Sequence, residues 1–195
     1  MLTRLQAVNQ LLGRIRERSI SSLDEPLNED SREALVVLDQ VSRQVQMQGY
    51  AFNSEENVVL PLNTAGECRL SANSFVANAD ESEWPHNLSP VQRGGRMFNR
   101  VANSYIFTEP VRLKRLIKFI VWEELPPVAQ RYIAALSEIE FTHRSNGDER
   151  ALELAQRAWR LSDAEFSRVY IYDTNPNIFN GPDLNTIIGR NRWAR

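Results

Sequence analysis

Two Glu-Glu pairs, two histidines, one cysteine and one arginine-flanked glycine pair are residues of this 195-residue chain whose types could do chemistry. The carboxylates are Glu55-Glu56 and Glu123-Glu124. Neighbours on an extended chain point to opposite faces, so neither pair is a preformed acid and base; folding would have to assemble a glycosidase dyad. His86 sits in a Trp-Pro-His-Asn stretch and His143 near the end of a helical segment, with no HExxH or other metal-ligand spacing. His143 reads as a helix-end residue interacting with the last carbonyls. No GxSxG nucleophile elbow occurs. Cys68 is the only cysteine, so no intramolecular disulfide can form; it reads as a small apolar residue in a reducing compartment. Gly94-Gly95, between Arg93 and Arg96, lacks the Gly-Lys-Ser/Thr ending of a phosphate loop and reads as a tight hairpin turn. No catalytic set, cofactor site or metal site emerges. Assembly with other protein chains is the expected function.

The elements that would position these residues follow from periodicity. Leu5, Val8, Leu12 and Ile15 recur at helical spacing and predict an amphipathic helix over 2–15. Residues 19–28 are turn-rich and contain Pro26. A second helix starts near Asp30, with Ala34, Val37, Leu38, Val41 and Val45 as its buried stripe; Arg32, Gln40 and Arg43 face water, and Gly49 supplies a left-handed end. Between Tyr50 and Val121 helical period is lost. Val58-Val59-Leu60, Phe75-Val76-Ala77, Met97-Phe98 and Tyr105-Ile106-Phe107 read as short strands. The clearest strand is the last: Val111, Leu113, Ile117, Phe119 and Val121 share one face, Arg112, Lys114 and Lys118 the other. Arg115 interrupts the apolar side and marks a bulge or twist. The basic face could meet DNA phosphates, or be a solvated or subunit-facing surface.

Helical period returns with Leu125, Val128, Ala129, Tyr132, Leu136 and Ile139 on one face, opened by Pro126-Pro127. Ser145-Asn146-Gly147 breaks this helix, and Asp148 caps another running to about Tyr170. Its main apolar face is Leu152, Ala155, Trp159, Phe166 and Val169, while Leu154 and Leu161 point to nearly the opposite side, as a subunit contact would require. Beyond Asp173 breakers dominate, yet Ile178, Phe179, Leu184, Ile187, Ile188 and Trp193 are scattered among them. Arg190, Arg192 and Arg195 against Asp183 alone give this tail a charge of +2. Such a segment suits docking on a partner, with Phe179, Arg192 and Trp193 as anchors.

The fold class is therefore α+β: a helical bundle of N- and C-terminal helices (1–49 and 122–172), an inserted antiparallel β domain (50–121) and an extended C-terminal tail (173–195). Hydrophobic residues at 42% and charged residues at 25% allow an ordinary core. A net charge of −2 argues against a whole face wrapped on nucleic acid. No apolar run could span a bilayer and no signal peptide opens the chain, so no stable membrane association is expected.

Several collinear stretches resemble the tail tubular protein A family of T7-like short-tailed bacteriophages. They are Ala7-Val8-Asn9 with Ser19 to Leu23; Gln44 to Asn53, a Gln-rich helix end followed by Gly-aromatic-x-Phe-Asn; Arg93 to Asn99, an Arg-Gly-Gly turn; and Phe119 to Pro126 with Arg131-Tyr132-Ile133. The family's usual Gly-Glu in the first loop is Arg16-Glu17 here, and the aromatic after Gly49 is Tyr50 where Trp is commoner. The resemblance implies a non-enzymatic adaptor: a homo-oligomer forming a dodecameric ring on the virion, between portal protein and tail nozzle protein, with viral DNA passing through the lumen. It also implies a phage-tail protein made in the host cytoplasm. The alternative from a different class is a tail-associated carbohydrate hydrolase.

Overall fold

The structure, a computed structural model, describes residues 1–24, 28–79, 89–145 and 148–173. It is α+β, as expected. Helix α1 (Arg4–Arg14) is opened by Thr3, whose hydroxyl accepts from the Gln6 amide while the Gln6 side chain accepts from the Thr3 amide. Helix α2 (Glu29–Gln46) is capped by Asn28, with Glu29 and Asp30 in its first turn complementing the helix dipole. The stripe expected on α2 is buried at every position, from Ala34 to Val45. Between these helices Arg16 stands at φ +63°, so the loop keeps a left-handed backbone without glycine, at a cost of about 1 kcal/mol.

The β region follows: β1 (Ser54–Leu60), β2 (Ser74–Ala79), β3 (Pro90–Arg93), β4 (Arg96–Asn99) and β5 (Val111–Lys118). A three-stranded antiparallel sheet runs β1-β5-β2, with β1 and β5 in continuous register from Ser54 opposite Ile117 to Leu60 opposite Val111. The β3–β4 hairpin turns at Gly94, φ +59°, where glycine's lack of a Cβ makes the conformation cheap. Leu60, Met97, Phe107, Val111, Leu113 and Leu116 build this region's own core.

Two strand-level expectations need correction. Tyr105–Phe107 is not a strand. Asn99 and Ser104 exchange backbone hydrogen bonds across a tight loop with Asn103 left-handed, which leaves Ile106 only an isolated bridge to Glu67. The apolar face of β5 does not run unbroken to Val121: pairing with β2 shifts register between Asn78 and Ala79, Leu116 joins the buried set, and Val121 is exposed beyond the strand's end. Arg115 marks an irregularity, as expected: pairing with β2 slips from Asn78 opposite Arg115 to Ala79 opposite Leu113, and the Arg115 guanidinium donates to the Gly49 carbonyl and the Ser54 hydroxyl.

Helix α3 (Pro127–Arg144) is wider in its burial than one apolar face. Leu136 and Ile139 are half-buried, whereas Ile133 and Phe141 are deepest, joined by Gln130, Ser137 and Glu138. The reason is position: α1, α2 and α4 (Glu149–Asp173) all pack on α3, so it has almost no free side. Its polar groups are satisfied. Gln130 accepts from the Leu2 amide and donates to the Trp122 carbonyl, and the Trp122 indole returns a bond to Leu2. Asp148 caps α4 through the Ala151 amide. On α4, Ala155, Phe166 and Tyr170 are buried; Val169, expected inside, is exposed because the helical turn gives its place to Tyr170. Phe166 stacks on Tyr132 at 4.3 Å and meets Tyr50 edge-on at 4.8 Å.

Where the chain passes between bundle and sheet, two buried amides clasp the crossing. Asn53 donates to the carbonyls of Gln46 (2.7 Å) and Lys118 (2.9 Å) and accepts from the Tyr50 amide (2.8 Å). Gln46 accepts from the Ile120 amide (2.7 Å) and donates to the Ile120 carbonyl and the Ser42 hydroxyl. Gly49, φ +73°, lies so close to Ile117 that a Cβ there would fall 2.5 Å from its Cδ1.

Asn53→Ala should strand these buried partners and destabilise the protein by about 2–3 kcal/mol, read as a lowered denaturant midpoint. A loss under about 0.5 kcal/mol would show that the clasp is dispensable. The Arg14–Glu138 pair (2.6 Å) gives a pH test. Burial, which outweighs the Arg14 hydrogen bond, raises the Glu138 carboxyl above its ordinary value. A raised native pKa adds stability that is complete below the unfolded value and lost as pH climbs through the native one. The stability of the wild type relative to Glu138→Gln should therefore be greatest in acid and shrink with rising pH. The opposite slope, from parallel urea melts, would mean that Arg14 dominates.

Candidate functional site

The residues with chemical potential are dispersed by the fold. Cys68 lies under the sheet with its thiol against the Leu60 carbonyl (3.6 Å), and burial pushes that thiol up from its ordinary pKa. It is packed as an apolar residue and unreactive. His143 is exposed in the last turn of α3; His86 lies outside the described residues. Glu55 pairs with Lys118 at 2.6 Å, its neighbour Glu56 is exposed opposite Arg115, and Glu123 and Glu124 are exposed in the 3-10 turn (Trp122–Glu124) before α3. Among the described residues, no three His, Cys, Asp or Glu side chains cluster as metal ligands.

The Gly94-Gly95 turn is a hairpin and its arginines are committed elsewhere. Arg93 lies over the Phe98 ring at 3.7 Å. Arg96 lies over Tyr105 at 4.2 Å and bonds Glu67 at 2.6 Å. The hydrogen bonds from Arg96, then from Arg69, hold the Glu67 carboxyl below its usual range. On the basic face of β5, Arg112 and Lys114 are exposed and Lys118 is neutralised by Glu55.

A groove of about 690 Å³ opens between α1, α3 and α4, lined by Gln10, Arg14, Arg131, Glu138, Ala158 and Ser162 among others. Sequence reading missed it, since its walls come from three distant segments. Its charges neutralise one another in the wall: Arg14 with Glu138, and Arg131 with Glu165 at 2.7 Å.

The surfaces remain. Leu154 and Leu161 are 48% and 71% exposed on the outer side of α4, the placement that a subunit contact needs. Arg150, Arg157 and Arg168 lie on the same outer side and are exposed. Their three- and four-residue offsets from the two leucines were legible in the sequence and overlooked. Phe179, Arg192 and Trp193 lie outside the described residues. No helix among the described residues is long and apolar enough to cross a membrane. A protein-family model described as "Tail tubular protein" matches residues 5–169. No curated protein matches the chain.

Proposed function

Because the chain belongs to the tail tubular protein family and is thus a structural component of a bacteriophage tail, we propose that it forms the ring-shaped adaptor between portal protein and nozzle protein. The ring is a dodecamer through which viral DNA passes, assembled from chains made in the host cytoplasm. The observation that carries this reading is the exposed Leu154–Leu161 ridge, on a helix whose opposite side is already buried against α3. A helix apolar on two sides is built to be covered twice, once within the subunit and once by a neighbour. Residues 50–121 form a β lobe carried by the bundle, and the tail beyond Asp173 meets the portal through Phe179, Arg192 and Trp193. Aromatic and arginine side chains of this kind dominate interface energies.

The protein acts without catalysing a reaction. Among the described residues, Glu55 is salt-bridged, Glu56, Glu123 and Glu124 are exposed, and the one histidine is a surface residue. Release of sugar from capsular or storage polysaccharide by the purified chain would favour the hydrolase reading instead.

Electron microscopy of the chain with and without portal should show rings with a central opening; particles without such an opening would refute the adaptor. Removal of residues 174–195 should leave the melting temperature unchanged and abolish portal binding. A melting temperature lowered by many degrees, with binding retained, would place the tail on its own bundle.

A further inference from the structure

Two helix faces on separate flanks of the bundle lack partners among the described residues, and their charges are opposite. On α4, Arg150, Leu154, Arg157, Leu161, Ala164 and Arg168 recur at alternating four- and three-residue steps, a single stripe about 27 Å long. All six are exposed, on the side away from buried Ala155 and Phe166. No hydrogen bond or ion pair to a described residue engages the three arginines, although Asp148 and Glu165 nearby are paired with Arg16 and Arg131. Exposed Glu153 and Glu165 border the stripe, while its own line carries three arginines and two leucines and no acid.

On α2, Glu29, Glu33 and Val36 follow the same spacing on the side away from buried Ala34, Leu38 and Val41. Val36 is 44% exposed, and neither glutamate is bonded to a described residue. The line continues through Gln40, which accepts from Arg144, and Arg43, whose guanidinium covers the Phe119 ring. The free part of the stripe therefore carries two glutamates and a valine, with exposed Arg32 at its edge.

Self-pairing of the α4 stripe across a two-fold axis would set arginine against arginine. The α2 stripe is its complement in both charge and apolar content. Within one chain the two cannot meet, because α2 and α4 each pack on α3 without substantial packing between them. We propose that the α4 stripe of one copy docks on the Glu29–Val36 face of α2 in the next copy. Leu154 and Leu161 bury apolar surface there, and the arginines pair with the glutamates, for which the guanidinium fork is well shaped. A contact between unlike patches of successive copies runs head to tail and generates a ring when the rotation closes. The inference rests on the ring reading above and adds which two faces make the contact.

A charge exchange tests it. One variant carries Arg150→Glu, Arg157→Glu and Arg168→Glu; the other carries Glu29→Arg and Glu33→Arg. Circular dichroism verifies that each is folded; should reversal at the start of α2 cost the helix, Val36→Lys replaces the second variant in the single-variant measurement, and the mixing test is not applied to it. By sedimentation velocity each variant alone should associate at least about tenfold more weakly than wild type. An equimolar mixture should regain assembly, since both junctions of an alternating ring are then complementary. Wild-type-like assembly by either single variant would overturn the inference and leave the ring reading standing. So would a mixture that fails to assemble. A wild-type chain that stays monomeric alone and on portal would overturn both.

Discussion

The buried amide clasp formed by Gln46 and Asn53 is the constraint on which the rest of the structure depends. The chain leaves the helical bundle once, at the end of α2, and returns once, after β5. At both crossings regular structure stops and backbone groups lose their ladder partners, yet the site is closed to water. Gln46 takes up both the amide and the carbonyl of Ile120, while Asn53 satisfies the carbonyls of Gln46 and Lys118. Each buried group left unmade would cost on the order of 1–3 kcal/mol, so the two strands of the crossing are held in one geometry. Arg115, reaching the Gly49 carbonyl, and Ile117, filling the space that a side chain at Gly49 would need, fix the same junction from the sheet side.

From that junction the two lobes grow with separate cores. One is gathered by α1, α2 and α3; the other lies between the sheet and the β3–β4 hairpin. Helix α4 is attached differently. Its contacts are with α3 and with an aromatic cluster of Tyr50, Phe52, Tyr132, Phe166 and Tyr170, which borrows the Gly-Tyr-Ala-Phe-Asn segment of the clasp itself. The residues that close the crossing therefore also seat the helix whose other side faces outward. Burial lifts the phenols of Tyr50 and Tyr132 above their ordinary pKa, so both remain neutral members of the packing.

Reactive residue types have been absorbed into structure in the same way. The cysteine fills a core, the hairpin arginines lie on aromatic rings, and Glu55 and Glu67 are held by cations. What is left over is surface: an arginine–leucine stripe on one flank and an acidic one on another. A structural component of a tail works through such faces, and membership of the tail tubular protein family agrees with a chain whose chemistry is directed outward to other proteins.

Local order was decided by the sequence itself. The helical periods of α1, α2 and α4, the Asp148 cap, the glycine end at Gly49 and the Arg-Gly-Gly hairpin are legible because each depends on neighbours within a few residues. So is the exposure of Leu154 and Leu161, which follows from their angle on one helix. Only the tertiary structure decided what depends on partners far along the chain. Ile133, Gln130 and Glu138 are deeply buried because three helices surround α3, and no period within α3 announces neighbours from outside it. Arg115 interrupts a strand for the sake of Gly49, 66 residues away. Tyr105–Phe107 has the composition of a strand but lacks a ladder, since a strand exists only where a second backbone runs alongside it. The pairing of Gln46 and Asn53 with the returning chain belongs to the same class: the amides are visible in the sequence, and folding alone brings them their partners.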